Sequence, residues 1–286
     1  MIFTEGWCVI LKITALLDNK PSEHKELISE HGLSLFVEYK DKKILFDFGA
    51  GDVILFNSDR LDIDLAKADY MVCSHAHYDH ATGFKDLLYA GIKPEALITG
   101  KGFWNAKYAF DGVKYTYLGT GFTAKTLEEF GVKHEVCEEG IKELFEGCYV
   151  VTDFERTHDF ETIPGRFVIS HEDGSFTKDD FSDEVCLVFD TEKGLVVLVG
   201  CSHPGILNML KTIQKRLNKK IYTFIGGSHL VEADDERLKT TISEMKEMGI
   251  ELTAFSHCSG SRVNEMLAEN KDIESTHLAT GDVMYI

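Results

Sequence analysis

No Cys-x-x-Cys pair occurs in this chain, no apolar run approaches the length of a membrane span, and basic residues are scarce. Thirty Lys and Arg stand against 48 Asp and Glu, a formal net charge of −18 over 286 residues. Each shortage excludes something. Without paired cysteines a closed structural zinc site is disfavoured. The seven cysteines (Cys8, Cys73, Cys137, Cys148, Cys186, Cys201 and Cys258) are odd in number and irregular in spacing, so they read as reduced thiols and not as a disulfide framework. The apolar stretch Val9-Ile10-Leu11, with Ile13 to Leu17 beyond Lys12, is too short to span a bilayer, and neither a basic leader nor a small-residue cleavage site accompanies it. The expectation is a cytoplasmic protein with no membrane partner. The acid excess argues against binding nucleic acid or anionic lipid, which relies on a basic surface to displace counterions. A small anionic substrate is still compatible, because a few local cations and bound metal can make one pocket positive. Lys101 and Lys107 are candidates for that contact. Nothing in the chain reports its oligomeric state.

What the chain does have is Cys73-Ser74-His75-Ala76-His77-Tyr78-Asp79-His80, three imidazoles and a carboxylate within a few residues of each other. His75 and His77 are two apart, so in extended backbone both point to the same side. Asp79 and His80 follow where a helix can begin. Two ligand pairs can thus face two neighbouring ions, and imidazole with carboxylate suits zinc, iron or manganese. The apolar run Tyr70-Met71-Val72-Cys73 delivers this cluster to the end of a buried strand.

A chain of this length with 44% hydrophobic residues can bury a large core. Strands are expected at Lys12 to Leu17, at Leu33 to Tyr39 and Ile44 to Phe48 around the polar turn Lys40-Asp41-Lys42-Lys43, and before the histidine cluster. Helices are expected at Glu23 to Glu30 and from Gly83 to Tyr89, and Val53 to Asp59 is a short amphipathic stretch. Residues from about 94 to 165 interleave glycines with Phe103, Trp104, Tyr108, Tyr115 and Tyr117, and read as an insertion that forms a wall near the site or a satellite core. Beyond it come a hairpin (Glu184 to Asp190, Leu195 to Val199), a helix (Ile206 to Leu217), a strand (Ile221 to Ile225), a charged helix (Asp234 to Met248) and a strand (Glu251 to Phe255). Three of these strands run into histidine, at Gly200-Cys201-Ser202-His203, Gly226-Gly227-Ser228-His229 and Phe255-Ser256-His257. Strand ends are where α/β sites collect. The pattern suggests two sheets packed face to face with helices outside.

His75-Ala76-His77-Tyr78-Asp79-His80 resembles the His-x-His-x-Asp-His signature of the metallo-β-lactamase superfamily. Ile44-Leu45-Phe46-Asp47-Phe48-Gly49 looks like that family's early strand. The later segments Val199 to Gly205, Gly226 to Leu230 and His257 to Gly260 resemble a subgroup that includes the dihydropterin ribofuranosylaminobenzene phosphate synthases of methanopterin biosynthesis. The resemblance implies an α/β fold, a four-layer αββα sandwich of two mixed sheets with outer helices, over a single domain, 1–286. It implies two divalent metal ions, zinc first, with iron or manganese as alternatives. His75, His77 and His203 would bind one, and Asp79, His80 and His257 the other. Cys201 stands where many relatives carry a bridging carboxylate, so Cys201 is an alternative ligand. His229 is either a ligand or a supporting contact, and His171 is a reserve for a missing third ligand. Asp47 would brace the metal loop, and Asp79 would also accept a proton. The remaining histidines (His24, His31, His134, His158 and His277) are expected to be surface or satisfied core residues. The implied enzyme is a dinuclear hydrolase acting on a small, anionic ester or phosphoester through a metal-bound hydroxide. The alternative is a transferase like the synthases, in which the metals stabilise a leaving diphosphate. Oxygen reduction is disfavoured, since relatives with that activity carry a carboxylate where His77 stands.

Overall fold

Central strands with two apolar faces must be covered twice. In Gly194–Val199, Val196 and Leu198 join Leu187, Phe189, Ile225 and Ala254 in one buried cluster, whereas Val197 and Val199 join Val188, Phe224 and Phe255 in another. Period-two alternation of strand side chains produces that split. The first cluster also takes Leu11, Ile13, Leu35, Val37, Ile44 and Phe46, so it is the seam between two sheets. The computed structural model describes residues 10–21, 23, 25–138, 140–269 and 273–286. Cys8 and His24 lie outside the described residues, and the other six cysteines are free thiols.

Along the chain the strands are β1 (Leu11–Leu17), β2 (Ser34–Tyr39), β3 (Lys42–Phe46), β4 (Tyr70–Val72), β5 (Ala96–Gly100), β6 (Ala106–Phe110), β7 (Tyr115–Tyr117), β8 (Lys133–Cys137) and β9 (Ile141–Phe145). They continue with β10 (Cys148–Val151), β11 (Phe167–Ser170), β12 (Phe176–Lys178), β13 (Cys186–Thr191), β14 (Gly194–Val199), β15 (Ile221–Gly226), β16 (Leu252–Phe255), β17 (Glu274–Thr276) and β18 (Val283–Tyr285). The helices are α1 (Val53–Arg60), α2 (Tyr78–Ala81), α3 (Gly83–Tyr89), α4 (Ala124–Phe130), α5 (Ile206–Leu217), α6 (Asp235–Glu247) and α7 (Arg262–Glu269).

One sheet has the order β18-β1-β2-β3-β4-β5-β8 and the other β17-β16-β15-β14-β13-β10-β9. Both are mixed: β18-β1-β2-β3 and β14-β13-β10-β9 pair antiparallel, and β3-β4-β5-β8 and β14-β15-β16-β17 run parallel. Helices α5, α6 and α7 bury Leu210, Ile213, Ile242, Met245 and Val263 on the outer face of the second sheet. Ile54, Phe84, Leu87 and Leu127 from α1, α3 and α4 cover the outer face of the first. The layers are therefore helix, sheet, sheet, helix. Parallel strands β4, β14, β15 and β16 end at Val72, Val199, Gly226 and Phe255, immediately before the four segments that carry the histidines.

Two expectations change. Residues 25–30 form turns and irregular backbone instead of a helix, because the Asn57 side chain takes both the N–H and the carbonyl of Ile28, groups a helix would use internally. The segment 94–165 contributes strands to all three sheets: β5 and β8 extend the first, β9 and β10 the second, and β6 with β7 pair with β11 and β12 in a small antiparallel sheet. Its aromatics divide accordingly. Phe103 and Trp104 pack with the first sheet's outer core, while Tyr108, Tyr115 and Tyr117 lie on the small sheet, Tyr115 stacking on Phe176. Strands β17 and β18 and helix α7 were not legible, being short or added at the edges.

Leu198 is fully buried at the seam between the sheets. Leu198→Ala should lower unfolding stability by about 2–5 kcal/mol, through lost transfer energy and a residual cavity, as read by urea denaturation. A change below about 1 kcal/mol contradicts the two-sheet seam.

Candidate metal centre

The histidine cluster begins where β4 stops, and Asp47 accounts for its shape. Asp47 follows β3 with φ of 60°, a left-handed conformation that Asp tolerates better than most residues. Its Oδ1 accepts from the Ser74 backbone N–H at 2.6 Å, and its Oδ2 accepts from Ser74 Oγ at 2.8 Å and lies 2.6 Å from His80 Nδ1. One fully buried carboxylate thereby fixes both ends of the motif. With Nδ1 of His80 held by Asp47, its Nε2 is turned inward, 3.1 Å from His257 Nε2 and 3.2 Å from Cys201 Sγ.

A second buried carboxylate supports the same loop, and the loops after β14 and β16 are each held by one as well. Asp183 Oδ2 accepts from the Ala76 N–H, between the first two histidines. Its neighbour Glu184 accepts from the N–H groups of Ser202 and His203 with its two oxygens. Asp18 accepts from the His257 N–H at 2.7 Å, while Asn19 Oδ1 lies 2.9 Å from His257 Nδ1. Gly200 is required by proximity, since a Cβ there would fall 2.1 Å from Ser74 Oγ. The segments after β4 and β14 can approach this closely only with glycine at that point.

Three groups of potential ligand atoms lie mutually within 4.8 Å: His75, Cys201 and His203; His80, Cys201 and His257; and His31, Asp79 and His257. Cys201 is common to the first two and His257 to the last two, so the groups form one continuous cluster. The ring of His77 lies 4.7 Å from that of His75 and 5.0 Å from that of His203. Nε2 of His75, Nε2 of His77 and both ring nitrogens of His203 are buried without a hydrogen-bond partner among the described residues. Buried polar atoms are normally satisfied, and a set of imidazole nitrogens left free and converging is what metal ligation needs. Burial pushes the pKa values of His75, His77 and His203 well below the ordinary imidazole range, which keeps them neutral with a lone pair available. His80 behaves differently. Burial opposes its charge, but Asp47 and Asp79 outweigh that and raise its pKa to about 9. A position that favours a proton this strongly also favours a metal cation in its place.

Asp79 Oδ2 lies 2.9 Å from His31 Nε2 and 3.3 Å from His257 Nε2. Burial would raise its pKa, yet His80 and the hydrogen bonds from His257 and His31 hold it well below the usual carboxylate range. His31, expected to be an ordinary surface residue, therefore borders the cluster. It reaches Asp79 from the loop before β2, and no local pattern announces it. His277 is another departure, since its Nε2 bonds Asp18, the carboxylate that holds the His257 loop. His134 and His158 bond to Thr99 and Asn208 respectively, as expected of satisfied residues. His171 bonds Thr177 on the small sheet and belongs to none of the three groups. His229 is also outside them, but its ring is 4.6 Å from that of His203.

Lys107 corrects a further expectation. Its ammonium is buried between Asp179 (2.6 Å) and Asp183 (2.8 Å), so it is committed internally and not offered to a substrate. It sits 4.3 Å over the Phe181 ring, which stacks on His203 at 3.8 Å. The small sheet is in this way joined to the ligand cluster. Asp183, Glu184 and Phe181, all from the segment before β13, are site residues that sequence reasoning missed. The only signal was an acidic pair at the start of an apolar strand.

Neutral imidazoles with free buried nitrogens gather at the strand ends of a four-layer sandwich beside a carboxylate and a thiol, an arrangement that could hold metal. The chain belongs to the metallo-β-lactamase superfamily, whose sequence profile matches residues 30–177. It is 31% identical over 291 aligned positions, 97% of this chain and 98% of the relative, to the 7,8-dihydropterin-6-methyl-4-(β-D-ribofuranosyl)-aminobenzene-5'-phosphate synthase of Methanocaldococcus jannaschii. Among solved structures it resembles Tm1679, described as a metal-dependent hydrolase of the β-lactamase superfamily, with a TM-score of 0.82 and 29% identity over 96% of this chain and 98% of that one. A diphosphatase of the PhnP family shares the fold, with a TM-score of 0.54 and 13% identity over 97% of each chain.

Replacing Asp47 with Asn should weaken metal affinity roughly 10- to 100-fold, measured by competition with a chromogenic chelator, with the circular dichroism spectrum unchanged. Unchanged affinity would remove Asp47 from the account of the site.

Proposed function

We propose that this chain is a metal-dependent hydrolase of a small anionic phosphoester, with two divalent ions held by His75, His77 and His203 on one side and by Asp79, His80 and His257 on the other. Cys201 lies within 4.8 Å of His75 and His203 from one set and of His80 and His257 from the other, and would serve as an alternative ligand. The observation that carries the reading is the set of buried, unpartnered imidazole nitrogens of His75, His77 and His203 beside the His80, Cys201 and His257 group. Two such ions, zinc first by this donor set, would activate water at neutral pH and offset charge on a phosphoryl oxygen. The chain's own residues supply the rest. Asp79, held ionised, would accept a proton from the attacking water as the new P–O bond forms and pass it to the leaving alkoxide oxygen as the ester P–O bond breaks. Asp47, Asp183, Glu184 and Asp18 keep the ligand loops in register without touching substrate. Phe181 and Phe167 flank the His77 and His203 rings and limit water on that side.

A second reading is favoured by one observation, the 31% identity extending over nearly the full length of the methanogen synthase. Under it the same centre would promote joining of a dihydropterin diphosphate to an aminobenzene ribofuranose phosphate, with diphosphate leaving.

Protein purified without added metal should contain close to two ions per chain by elemental analysis, and chelation should abolish turnover in a way that zinc, iron or manganese restores. Metal-loaded protein should hydrolyse members of a panel of phosphodiesters and esters. Product formed only from the two synthase substrates would overturn hydrolysis in favour of transfer. One ion per chain with His257→Ala retaining it would overturn the dinuclear arrangement.

A further inference from the structure

Next to the histidine cluster lies a cavity of about 160 Å³ lined by Thr162, Pro164, His203, His229, Glu232 and Arg237. It shares His203 with the proposed ligand set. Arg237 comes from the first turn of α6, where Asp234 caps the helix by accepting from the Arg237 backbone N–H. The Nε of its guanidinium is buried and has no hydrogen-bond partner among the described residues. Leaving a charged donor in that condition is costly unless something else completes it.

The carboxylates whose charge Arg237 feels, Glu161 and Glu232, do not complete it. Both oxygens of Glu161 accept from the N–H groups of Leu207 and Asn208 at the start of α5. Both oxygens of Glu232 are taken by Arg166 in a two-point pair, and Arg166 in turn lies over the Phe167 ring. The one carboxylate among the residues lining the cavity is thus paired with Arg166, and Arg237 Nε is left without an acceptor among the described residues. In a chain with a net charge of −18, a guanidinium kept free beside the reaction centre is a specific provision.

We propose that this cavity is the anion subsite of the substrate cleft, in which Arg237 binds a terminal phosphate monoester while the reacting group lies at the histidine cluster. The inference rests on the metal-dependent reading of the site and adds to it the class of substrate: a small molecule that carries a phosphate besides the group transformed. A guanidinium presents a planar fork of donors suited to phosphate oxygens, and the cavity is large enough to admit a phosphoryl group.

Ribose 5-phosphate and ribose serve as probes that differ only in the phosphate, titrated calorimetrically into metal-loaded protein. Wild type should bind ribose 5-phosphate at least 10-fold more tightly than ribose. Arg237→Met should weaken ribose 5-phosphate binding about 10- to 100-fold, and Arg237→Lys by less, with metal content by elemental analysis the same in all three. Arg237→Gln provides the same reading if the Met variant folds poorly. Equal affinity of wild type and both neutral variants would show that phosphate sits on the metals alone and would overturn the subsite, as would equal affinity for ribose and ribose 5-phosphate. Wild-type protein that retains no metal overturns the functional reading instead, so the two failures are distinguishable.

Discussion

The buried carboxylate of Asp47 is the constraint on which the metal cluster depends. It gives one oxygen to the backbone of Ser74 and the other to the Ser74 hydroxyl and the His80 ring, so the start and the end of the histidine motif are pinned to a single residue of the preceding strand. Without it, three buried donors would lose their acceptor at once, each at about 1–3 kcal/mol. The same device recurs with Asp18 behind His257, Asp183 behind Ala76 and Glu184 behind His203. These carboxylates lie in segments far apart in the chain. Assembly of the cluster is therefore assembly of the whole fold.

This arrangement explains why the cluster can hold imidazoles whose inner nitrogens have no protein partner. Their positions are paid for by hydrogen bonds made to the backbone behind them, not by contacts among the rings. The small sheet contributes through a different path, Lys107 to Phe181 to His203, in which a buried ammonium is neutralised by Asp179 and Asp183. A segment that reads as an insertion thereby fixes one wall of the centre, and the acid pair Asp183-Glu184 ties that wall to two ligand loops at once. Beyond the wall, the cavity at Arg237 is lined by that guanidinium and by Glu232, whose oxygens are taken by Arg166, in a chain of net charge −18. Global charge governs encounter with polymers and surfaces, whereas a cleft is governed by the few groups that line it.

Much of the fold was legible because its strands and longer helices are bounded by strong periodicity. Ile206 to Leu217 and Gly83 to Tyr89 were read with the bounds observed, since each combines a helical apolar stripe with clear terminal residues. The failures share a cause. The helix expected at 23–30 is pre-empted by Asn57, which is 29 residues from Ile28, and the strands of 94–165 are distributed by partners that no local pattern names. Lys107 reads as a solvated or substrate-binding lysine until Asp179 and Asp183, more than 70 residues away, are seen beside it.

By itself the sequence determined which side chains gather at the sheet edge. His75, His77, Asp79 and His80 are close in the chain, so their relation depends on local backbone alone, and histidines placed directly after apolar strands are delivered to a common sheet edge by strand geometry. Tertiary structure alone decided how the remainder closes around them. Cys201 between the two ligand sets, His31 against Asp79 and the free guanidinium of Arg237 beside His203 are contacts across separate loops. Such contacts are fixed by how two sheets and their outer helices pack, and packing is a property of the completed core, which no single segment encodes.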